Sequence, residues 1–476
     1  MSNRRAKIIC TIGPATETRE MIGALLDAGM NVARLNFSHS DHETHLKRLQ
    51  MLRSVAAEKK VALSVLLDLQ GPKIRVGKVG PKYQKLTAGQ KVSFTTEASK
   101  ESEDFLYISY PNLLKDLKVG AELLIDDGKL KLVVREIKDP NFVAEVIYGG
   151  SLSDRKGVNF SNVKSSLPCL TEKDLKDVQF AIKNPVDYIA LSFVKEAADV
   201  LELKKILADH KVDTPVISKI EKHEAIENLE EIIKVSDGIL IARGDLGVEI
   251  SPERVPILQK KIIERSNLAG KVVITATQML ESMITSSIPT RAEATDVANA
   301  VFDGTDAVML SAETASGQFP IDSVKMMDRI VKEAEDYPKY INNQLVHTHV
   351  ENLTIPQTIS HACWLSAKHI QAKTIVVLTQ SGGSALSISK YKPSSELACL
   401  TPNINVYNRM ALYWGVTPII MQEEENSDEA FKHVEQLLLK EKHVKAGDLT
   451  ILIAGTPVRR KGATNNLRIH RVGDPL

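Results

Sequence analysis

Eight short runs of apolar residues with strand character recur between Lys7 and Glu335, and a helix-like segment follows each run. The runs are continuous rather than alternating, which indicates strands buried on both faces of a parallel sheet. Eight β/α units are the number that closes a (β/α)8 barrel, so we predict an α/β fold whose main domain is a TIM barrel. A doubly wound open sheet is the alternative, and it is disfavoured because no Gly-x-Gly-x-x-Gly motif follows the first run. The predicted strands are Lys7–Ile12, Val32–Leu35, Ala62–Asp68, Tyr188–Leu191, Val216–Ile220, Gly238–Ala242, Val272–Thr275 and Ala307–Leu310.

A long stretch between Asp68 and Leu170 interrupts this rhythm with alternating patterns and frequent turn residues. It far exceeds the length of ordinary loops, so we predict an inserted β domain. Because the insertion follows the third strand, we expect a β-barrel-like lid over the barrel mouth. After Asn343, helix-like and strand-like segments alternate again, which predicts a C-terminal open α/β domain. The predicted division is 1–69 and 170–345 for the catalytic barrel, 70–169 for the lid domain and 346–476 for the C-terminal domain.

Composition excludes several classes of partner. The 476 residues carry 61 basic and 60 acidic side chains, a net charge of +1, and only 5% are aromatic. No basic field recruits nucleic acid or an anionic membrane, so we expect neither as a partner. The four cysteines, Cys10, Cys169, Cys363 and Cys399, are scattered, which favours reduced thiols. The N-terminal apolar run is too short for a secretion signal, and we therefore expect a cytoplasmic protein.

Two of the predicted strands end on charged residues. The first closes on Lys219 and Glu221, and the second closes on Arg243, Gly244 and Asp245. Charges just past buried parallel strands lie where α/β folds bind ligands. Two carboxylates without His or Cys favour a hard cation such as magnesium, and a lysine beside it would face a phosphoryl group or an enolate. The simpler alternative is that both strand ends carry solvated charges.

Longer motifs resemble those of the pyruvate kinases, in that family's order and over essentially the whole chain. They are Lys7–Ala15, Ala33–His39, Asp68–Arg75, Ser218–Glu221, Ala242–Gly247, Ala276–Met283 and Pro289–Glu293. The resemblance implies an allosteric, homotetrameric glycolytic phosphotransferase that moves a phosphoryl group from phosphoenolpyruvate to ADP, giving pyruvate and ATP. It also implies the three-domain layout described above.

The resemblance assigns roles at the barrel mouth. Glu221 and Asp245 hold Mg2+, with Mn2+ able to replace it, and Lys219 and Arg34 lie against the transferring phosphoryl group. Thr277 supplies a hydroxyl to the substrate carboxylate and lies on the proton route to the enolate. The catalytic residues implied are Arg34, Lys219 and Thr277, and the substrate-binding residues are Arg34, Lys219, Gly244, Asp245 and Thr277.

Nucleotide-binding residues are implied on both the barrel and the lid. They are Asn36, Phe37, Ser38, His39, Arg75 and Lys156. Many relatives hold K+ at positions matching Asn36, Ser38, Asp68 and the carbonyl of Leu69, but they carry glutamate where this chain has Lys73. A tethered ammonium supplies the charge of that ion, so we expect Lys73 to act as its surrogate and K+ not to be required.

A hydroxyl- and glycine-rich turn in the C-terminal domain matches the family's pocket for a phosphorylated effector. The implied effector residues are Thr379, Ser381, Gly382, Ser384, Arg459, Arg460 and Lys461. Hydroxyls and amides at a helix start suit a phosphate, although a capped turn is the alternative. Gly383 stands where many members have arginine, which leaves the identity of the effector open.

Two other functions and one other site compete with this interpretation. The functions are another magnesium-enolate barrel enzyme, such as a pyruvate-forming lyase, and a catalytically silent, ligand-sensing homologue. The spacing of His39, His42 and His45 suggests a metal site. We disfavour that site because His39 belongs to the family motif, and we expect His42 and His45 on an exposed first helical turn.

Overall fold

The computed structural model describes residues 4–161, 163, 165–337, 353–422, 427–455 and 464–475. The strands are β1 (Lys7–Thr11), β2 (Val32–Asn36), β3 (Ser64–Asp68), β4 (Lys85–Leu86), β5 (Lys91–Thr95), β6 (Leu106–Tyr107), β7 (Glu122–Ile125), β8 (Leu130–Lys138), β9 (Asn141–Tyr148), β10 (Gly150–Ser151), β11 (Val158–Ser161), β12 (Tyr188–Leu191), β13 (Val216–Ile220), β14 (Gly238–Ala242), β15 (Val272–Ala276), β16 (Ala307–Leu310), β17 (Thr374–Leu378), β18 (Glu396–Thr401), β19 (Val416–Ile420), β20 (Leu449–Gly455) and β21 (Thr464–Arg471).

The helices are α1 (Arg19–Ala28), α2 (His42–Lys59), α3 (Leu113–Asp116), α4 (Glu172–Lys183), α5 (Ala197–Asp209), α6 (His223–Glu227), α7 (Leu229–Val235), α8 (Arg243–Glu249), α9 (Val255–Leu268), α10 (Arg291–Asp303), α11 (Ala312–Ala315), α12 (Pro320–Glu335), α13 (Ile355–Ile370), α14 (Gly383–Ser389), α15 (Ile404–Arg409) and α16 (Ser427–Lys440). Short 3-10 helices cover Pro81–Tyr83, Ala98–Lys100, Pro252–Arg254, Glu281–Ile284 and Met410–Leu412. Among the helices of the described ranges, none is long and apolar enough to cross a membrane.

Eight parallel strands close into a barrel in the order β1-β16-β15-β14-β13-β12-β3-β2. The predicted TIM barrel is therefore confirmed, and the open doubly wound sheet is excluded. Every residue of β1, β3, β14 and β15 is buried, as expected for strands covered by side chains on both faces. The predicted bounds of β12, β13, β14 and β16 agree with the structure, and those of the other four strands differ only at their ends.

Local side-chain hydrogen bonds begin the helices between barrel strands. Thr18 caps α1 by accepting from the amide of Met21, and Thr290 forms a reciprocal capping box with Glu293 at α10. Both helices end at a glycine in the left-handed conformation, which returns the chain to the barrel. These caps define the first and last residues of each helix, and therefore the point at which the next barrel strand can begin.

The insertion between β3 and α4 contains a six-stranded sheet in the order β11-β7-β8-β9-β5-β6 and a two-stranded sheet of β10 and β4. It has its own apolar core, in which the rings of Phe94 and Phe142 stack with centroids 4.9 Å apart. Asp127 and Gly128 both have positive φ angles at the turn between β7 and β8, as the Asp-Gly pair predicts. A separate β domain therefore interrupts the barrel after its third strand.

The C-terminal domain is an open sheet in the order β19-β18-β17-β20-β21, with β21 antiparallel to β20. It packs against the amino ends of the barrel strands. Lys7 at the start of β1 donates from Nζ to the carbonyl of Val416, and Tyr188 at the start of β12 donates to the carbonyl of Arg409. The carboxyl ends of the strands, which carry the predicted site residues, lie at the opposite end of the barrel.

Candidate active site

Two cations converge on one buried carboxylate at the carboxyl ends of the barrel strands. Asp68 ends β3 and is 1% exposed. Arg34 of β2 lies with Nε 2.6 Å from its Oδ2, and Lys219 of β13 lies with Nζ 3.3 Å from its Oδ1. Lys219 Nζ is also 2.9 Å from Oε1 of Glu221. The sequence-predicted phosphoryl and metal residues are thus brought together.

Electrostatics keeps Asp68 and Lys219 ionised. Burial favours the neutral forms, but the charges of Lys219 and Arg34 outweigh it and lower the pKa of Asp68. For Lys219, burial is outweighed by Asp68 and Glu221, so its pKa is raised above the ordinary value. The lysine therefore remains a fixed positive charge at neutral pH, as a site for an anionic substrate requires.

Two neighbouring residues that the sequence analysis did not single out complete the cluster. Ser192 accepts a hydrogen bond from Lys219 Nζ at 2.7 Å and donates to the carbonyl of Leu69 at 2.6 Å. The amide of Phe193, whose φ is +57°, donates to Oε2 of Glu221 at 2.7 Å. Both residues directly follow the predicted strand Tyr188–Leu191. Residues just past a barrel strand line the ligand site, so their position in the sequence was a signal that could have identified them.

Glu221 and Asp245 have the chemistry of a site for a hard divalent cation. Burial raises the pKa of Glu221, and the neighbouring Asp245 carboxylate raises it further despite the opposing charge of Lys219. A divalent ion between such carboxylates would relieve both effects. The described part of the chain contains no group of three or more His, Cys, Asp or Glu side chains suited to a metal. Two carboxylates with open positions fit magnesium, which commonly keeps waters and substrate oxygens as ligands.

Thr277 lies at the mouth in a constrained backbone conformation. Its φ is +65° and that of Gln278 is +54°, a region that β-branched residues rarely adopt. Arg243 holds this turn by donating from Nη2 to the carbonyls of Thr277 at 2.8 Å and Gln278 at 3.1 Å. The amide of Gly244, assigned by resemblance to the substrate carboxylate, here donates to the Thr277 hydroxyl at 2.8 Å. The structure therefore brings Gly244 and Thr277 together.

The Asn36–His39 segment begins at the last residue of β2 and packs on α2. Ser38 donates its amide to the side chain of Asn36 at 3.1 Å, and the Phe37 ring stacks on His45 with centroids 4.0 Å apart. The expectation that His45 is exposed is wrong, because this ring is buried beneath Phe37 and contacts the carbonyl of His39 through Nε2. His42 is exposed as expected and pairs with an aspartate of α4.

The predicted nucleotide residues of the lid lie on adjacent segments. Arg75 donates to the carbonyl of Arg155 at 2.8 Å, and Lys156 Nζ is 2.8 Å from Oδ1 of Asp126. Burial lowers the pKa of His39, and the charges of Arg75, Arg34 and Lys73 lower it further. The effect of Arg75 on the pKa of His39 shows that this lid residue lies close enough to the Asn36–His39 segment to act on it electrostatically.

Lys73 is exposed, and within the described ranges it forms no ion pair. The cations that pair with Asp68 are Arg34 and Lys219. Asn36 and Asp68 are neighbours in the register of β2 and β3, and the Leu69 carbonyl accepts from Ser192. The role of Lys73 as a potassium surrogate stays a prediction.

Part of the predicted effector pocket is also described. Thr379 Oγ1 accepts from the amide of Gly382 at 2.9 Å, and the hydroxyls of Ser384 and Thr464 are hydrogen-bonded to each other. Gly382 has φ +83° and is the cap residue directly before α14, and Ser381 is exposed. The remaining predicted residues, Arg459, Arg460 and Lys461, lie outside the described residues. The described strand that precedes them in the sequence, β20, pairs in parallel with β17.

A closed barrel with paired cations and carboxylates at the carboxyl ends of its strands defines an α/β-barrel enzyme for an anionic substrate. Family models confirm and refine this class: the model described as pyruvate kinase, barrel domain, matches residues 3–324, and the pyruvate kinase alpha/beta domain matches residues 357–470. The chain belongs to the pyruvate kinase family. The phosphotransferase class implied by its motifs is therefore confirmed.

Individual relatives agree over the whole chain. Pyruvate kinases of Staphylococcus epidermidis and Staphylococcus aureus are 43% identical over 480 residues, covering 99% of this chain and 81% of theirs. The crystal structure of a pyruvate kinase from Cryptosporidium parvum superposes with a TM-score of 0.93 at 39% identity, covering 99% of this chain and 96% of that one. All three domains thus have counterparts in these proteins.

Proposed function

We propose that this protein transfers the phosphoryl group of phosphoenolpyruvate to ADP, with pyruvate and ATP as products. The observation that carries the proposal is the pairing of Arg34 and Lys219 on buried Asp68, beside the carboxylate of Glu221. Phosphoryl transfer is accelerated mainly by preorganised positive charge around the moving group. Family membership supplies the substrates, and this cluster supplies the charge.

Each residue of the cluster has a distinct role. Lys219 and Arg34 bind and stabilise the phosphoryl group, and Asp68 holds both cations in position. Glu221 and Asp245 would hold Mg2+, which supplies charge neutralisation and orientation for phosphate and enolate oxygens. Because the Gly244 amide now donates to Thr277, substrate binding would exchange this bond for contacts of the amide and hydroxyl with the substrate carboxylate.

The nucleotide side, the regulation and the assembly belong to the same proposal. ADP would contact Asn36–His39 of the barrel and Arg75 and Lys156 of the lid, with Mg2+ or Mn2+ as metal and without a requirement for K+. A phosphorylated small molecule would bind the loop that begins at Thr379 and the basic segment at 459–461. We further propose a homotetramer in the cytoplasm, with the domain boundaries predicted from the sequence.

Pyruvate release tests the proposed function. Purified protein is incubated with phosphoenolpyruvate, ADP and Mg2+, and pyruvate is measured by a coupled assay while each component is omitted in turn. We expect pyruvate only when all three are present, with one ATP formed per pyruvate. Pyruvate formation without ADP would indicate hydrolysis of the phosphate ester, and no pyruvate under any condition would indicate either a lyase that acts on another substrate or a silent homologue.

A further inference from the structure

A side-chain hydrogen bond joins the lid to the helix that carries the predicted substrate residues. Asn159, in lid strand β11, donates from Nδ2 to Oε1 of Glu249 at 2.8 Å. Glu249 is the last residue of α8, whose first turn contains Gly244 and Asp245. This contact belongs to none of the roles described above, and it links the two parts of the molecule between which ADP would bind.

Glu249 is fixed by a second donor. Its side chain is 4% exposed, and Lys222 Nζ lies 2.6 Å from the same oxygen that accepts from Asn159. Lys222 directly follows Glu221 and places its ammonium 5.7 Å from the centre of the Phe193 ring. A buried carboxylate that accepts two hydrogen bonds, one of them from an ammonium group, is held in one orientation. One oxygen atom therefore ties the lid strand to the loop that carries the predicted metal ligand.

The chain entering the lid packs on the same region. Gly71 has φ +69°, and a Cβ built on it would lie 2.6 Å from Cδ2 of Phe193. The amide of Phe193 in turn holds Glu221. The segment that enters the lid and the strand that precedes its exit therefore both contact residues that neighbour Glu221, so the lid is attached to the barrel on two sides of this group.

Asn159 and Lys156 lie close together at one edge of the lid sheet. Asn159 pairs with Leu124 in the register of β11 and β7, and Lys156, just before β11, is paired with Asp126, just after β7. The two residues therefore belong to one rigid edge of the lid sheet. A contact that holds Asn159 on the barrel therefore also restrains the lid segment that carries Lys156.

We propose that Asn159 and Glu249 are positioning residues that hold the lid in its nucleotide-binding orientation through their mutual hydrogen bond. The proposal rests on the proposed roles of Arg75 and Lys156 in binding ADP. Loss of this bond should weaken the binding of ADP, which the lid contacts, and leave the binding of phosphoenolpyruvate, which the barrel contacts, nearly unchanged.

The test is a kinetic cycle on the full-length protein with Asn159→Ala, Glu249→Ala and the double variant. Asn159→Ala should raise KM for ADP about tenfold, as the loss of one hydrogen bond to a charged group predicts, with KM for phosphoenolpyruvate within about twofold of the parent. The double variant should show no larger ADP effect than Glu249→Ala alone, because both changes remove the same bond. Glu249→Gln keeps a side-chain oxygen for Asn159 and should retain an ADP KM within about threefold of the parent.

Asn112→Ala is the matched control, since Asn112 is an exposed lid residue whose side chain does not cap its helix. It should leave both KM values unchanged, and thermal midpoints should show that every variant is folded. Unchanged ADP KM in Asn159→Ala, additive effects in the double variant, or Glu249→Gln behaving like Glu249→Ala would each overturn the proposal. An inactive parent enzyme would instead overturn the proposed function, so the two failures are distinct.

Discussion

Asp68 is the residue around which the cations of the site are arranged. Its Oδ2 atom pairs with the guanidinium of Arg34, and its Oδ1 atom pairs with the ammonium of Lys219. The hydroxyl of Ser192 also lies beside Oδ1. Removing one partner of such a buried group leaves an uncompensated charge, which is costly. The position of Lys219 is therefore set by Asp68 and Glu221 before any substrate binds, and this preorganisation is what makes a single ammonium effective.

A prediction at the residue scale concerns Lys73 and potassium. We expect the parent enzyme to be active in tetramethylammonium buffer, because Lys73 is predicted to supply, as a tethered ammonium, the charge that K+ supplies in many relatives. Lys73→Glu changes the local charge by two units and should lower activity and make it depend on K+. The measurement is turnover in tetramethylammonium chloride and in potassium chloride at equal ionic strength.

Lys78→Glu, at another exposed lysine of the lid, serves as the control for that charge change and should not create a potassium requirement. A parent enzyme that is nearly inactive without K+ would show that Lys73 is not a surrogate cation.

At the scale of elements, the barrel strands were predictable because each is a continuous apolar run, and the polar ends of two of them located Lys219, Glu221 and Asp245. Arg34 and Asp68 were assigned from the resemblance to the pyruvate kinases. Strand β21 was not predicted, because as an edge strand it mixes polar residues with the half-exposed Ile469. The burial of His45 was also missed, since local spacing does not reveal that a ring from a neighbouring loop stacks on it. Contacts between segments that are distant in the sequence, such as that of Ser192 with Leu69, can be predicted only when the strand order of the closed barrel is known.

A prediction at the element scale concerns the seam between β1 and β19. Burial, together with the charge of Arg4, lowers the pKa of Lys7 from 10.5 to about 7. Between pH 7 and pH 10.5 Lys7 is protonated in the unfolded chain and neutral in the folded chain. Lys7 therefore raises the free energy of unfolding by up to about 1.4 kcal/mol for each unit by which the pH increases. Lys7→Met should remove that gain.

The measurement is chemical denaturation of the parent and of Lys7→Met at pH 7 and pH 9. The stability of the parent should rise relative to the variant as pH increases, whereas Lys118→Met, at an exposed lysine, should follow the parent. If the difference in stability between the parent and Lys7→Met did not change with pH, Lys7 would not be a neutral amine in the folded protein.

At the scale of the whole molecule, the two ends of the barrel have different neighbours. The lid lies at the carboxyl ends, where Asn159 contacts Glu249, and the C-terminal domain packs on the amino ends, where Lys7 contacts Val416. The predicted effector turn at Thr379 is in the C-terminal domain and therefore remote from the phosphoryl site. Regulation would have to act through the barrel rather than by direct contact with substrate.

The corresponding prediction is that neutralising Arg459, Arg460 and Lys461 together affects activation and not basal chemistry. The concentration of a phosphorylated effector that gives half-activation should rise more than about tenfold, because several charged contacts are lost. The maximal rate at saturating phosphoenolpyruvate should be unchanged. The measurement is activation by a panel of sugar phosphates and nucleotides, and a reduced maximal rate with an unaltered effector response would contradict the assignment of this loop.

The turnover number of Lys219→Met at saturating phosphoenolpyruvate, ADP and Mg2+ tests the central claim most directly. Methionine keeps the length of the side chain and removes only its charge, so turnover should fall by at least about 10²–10³-fold, the loss expected for one preorganised donor. The affinity for phosphoenolpyruvate should change little, because Arg34 and the carboxylates remain. A turnover close to that of the parent would contradict the account, since the ammonium held by Asp68 and Glu221 would then not stabilise the transferring phosphoryl group.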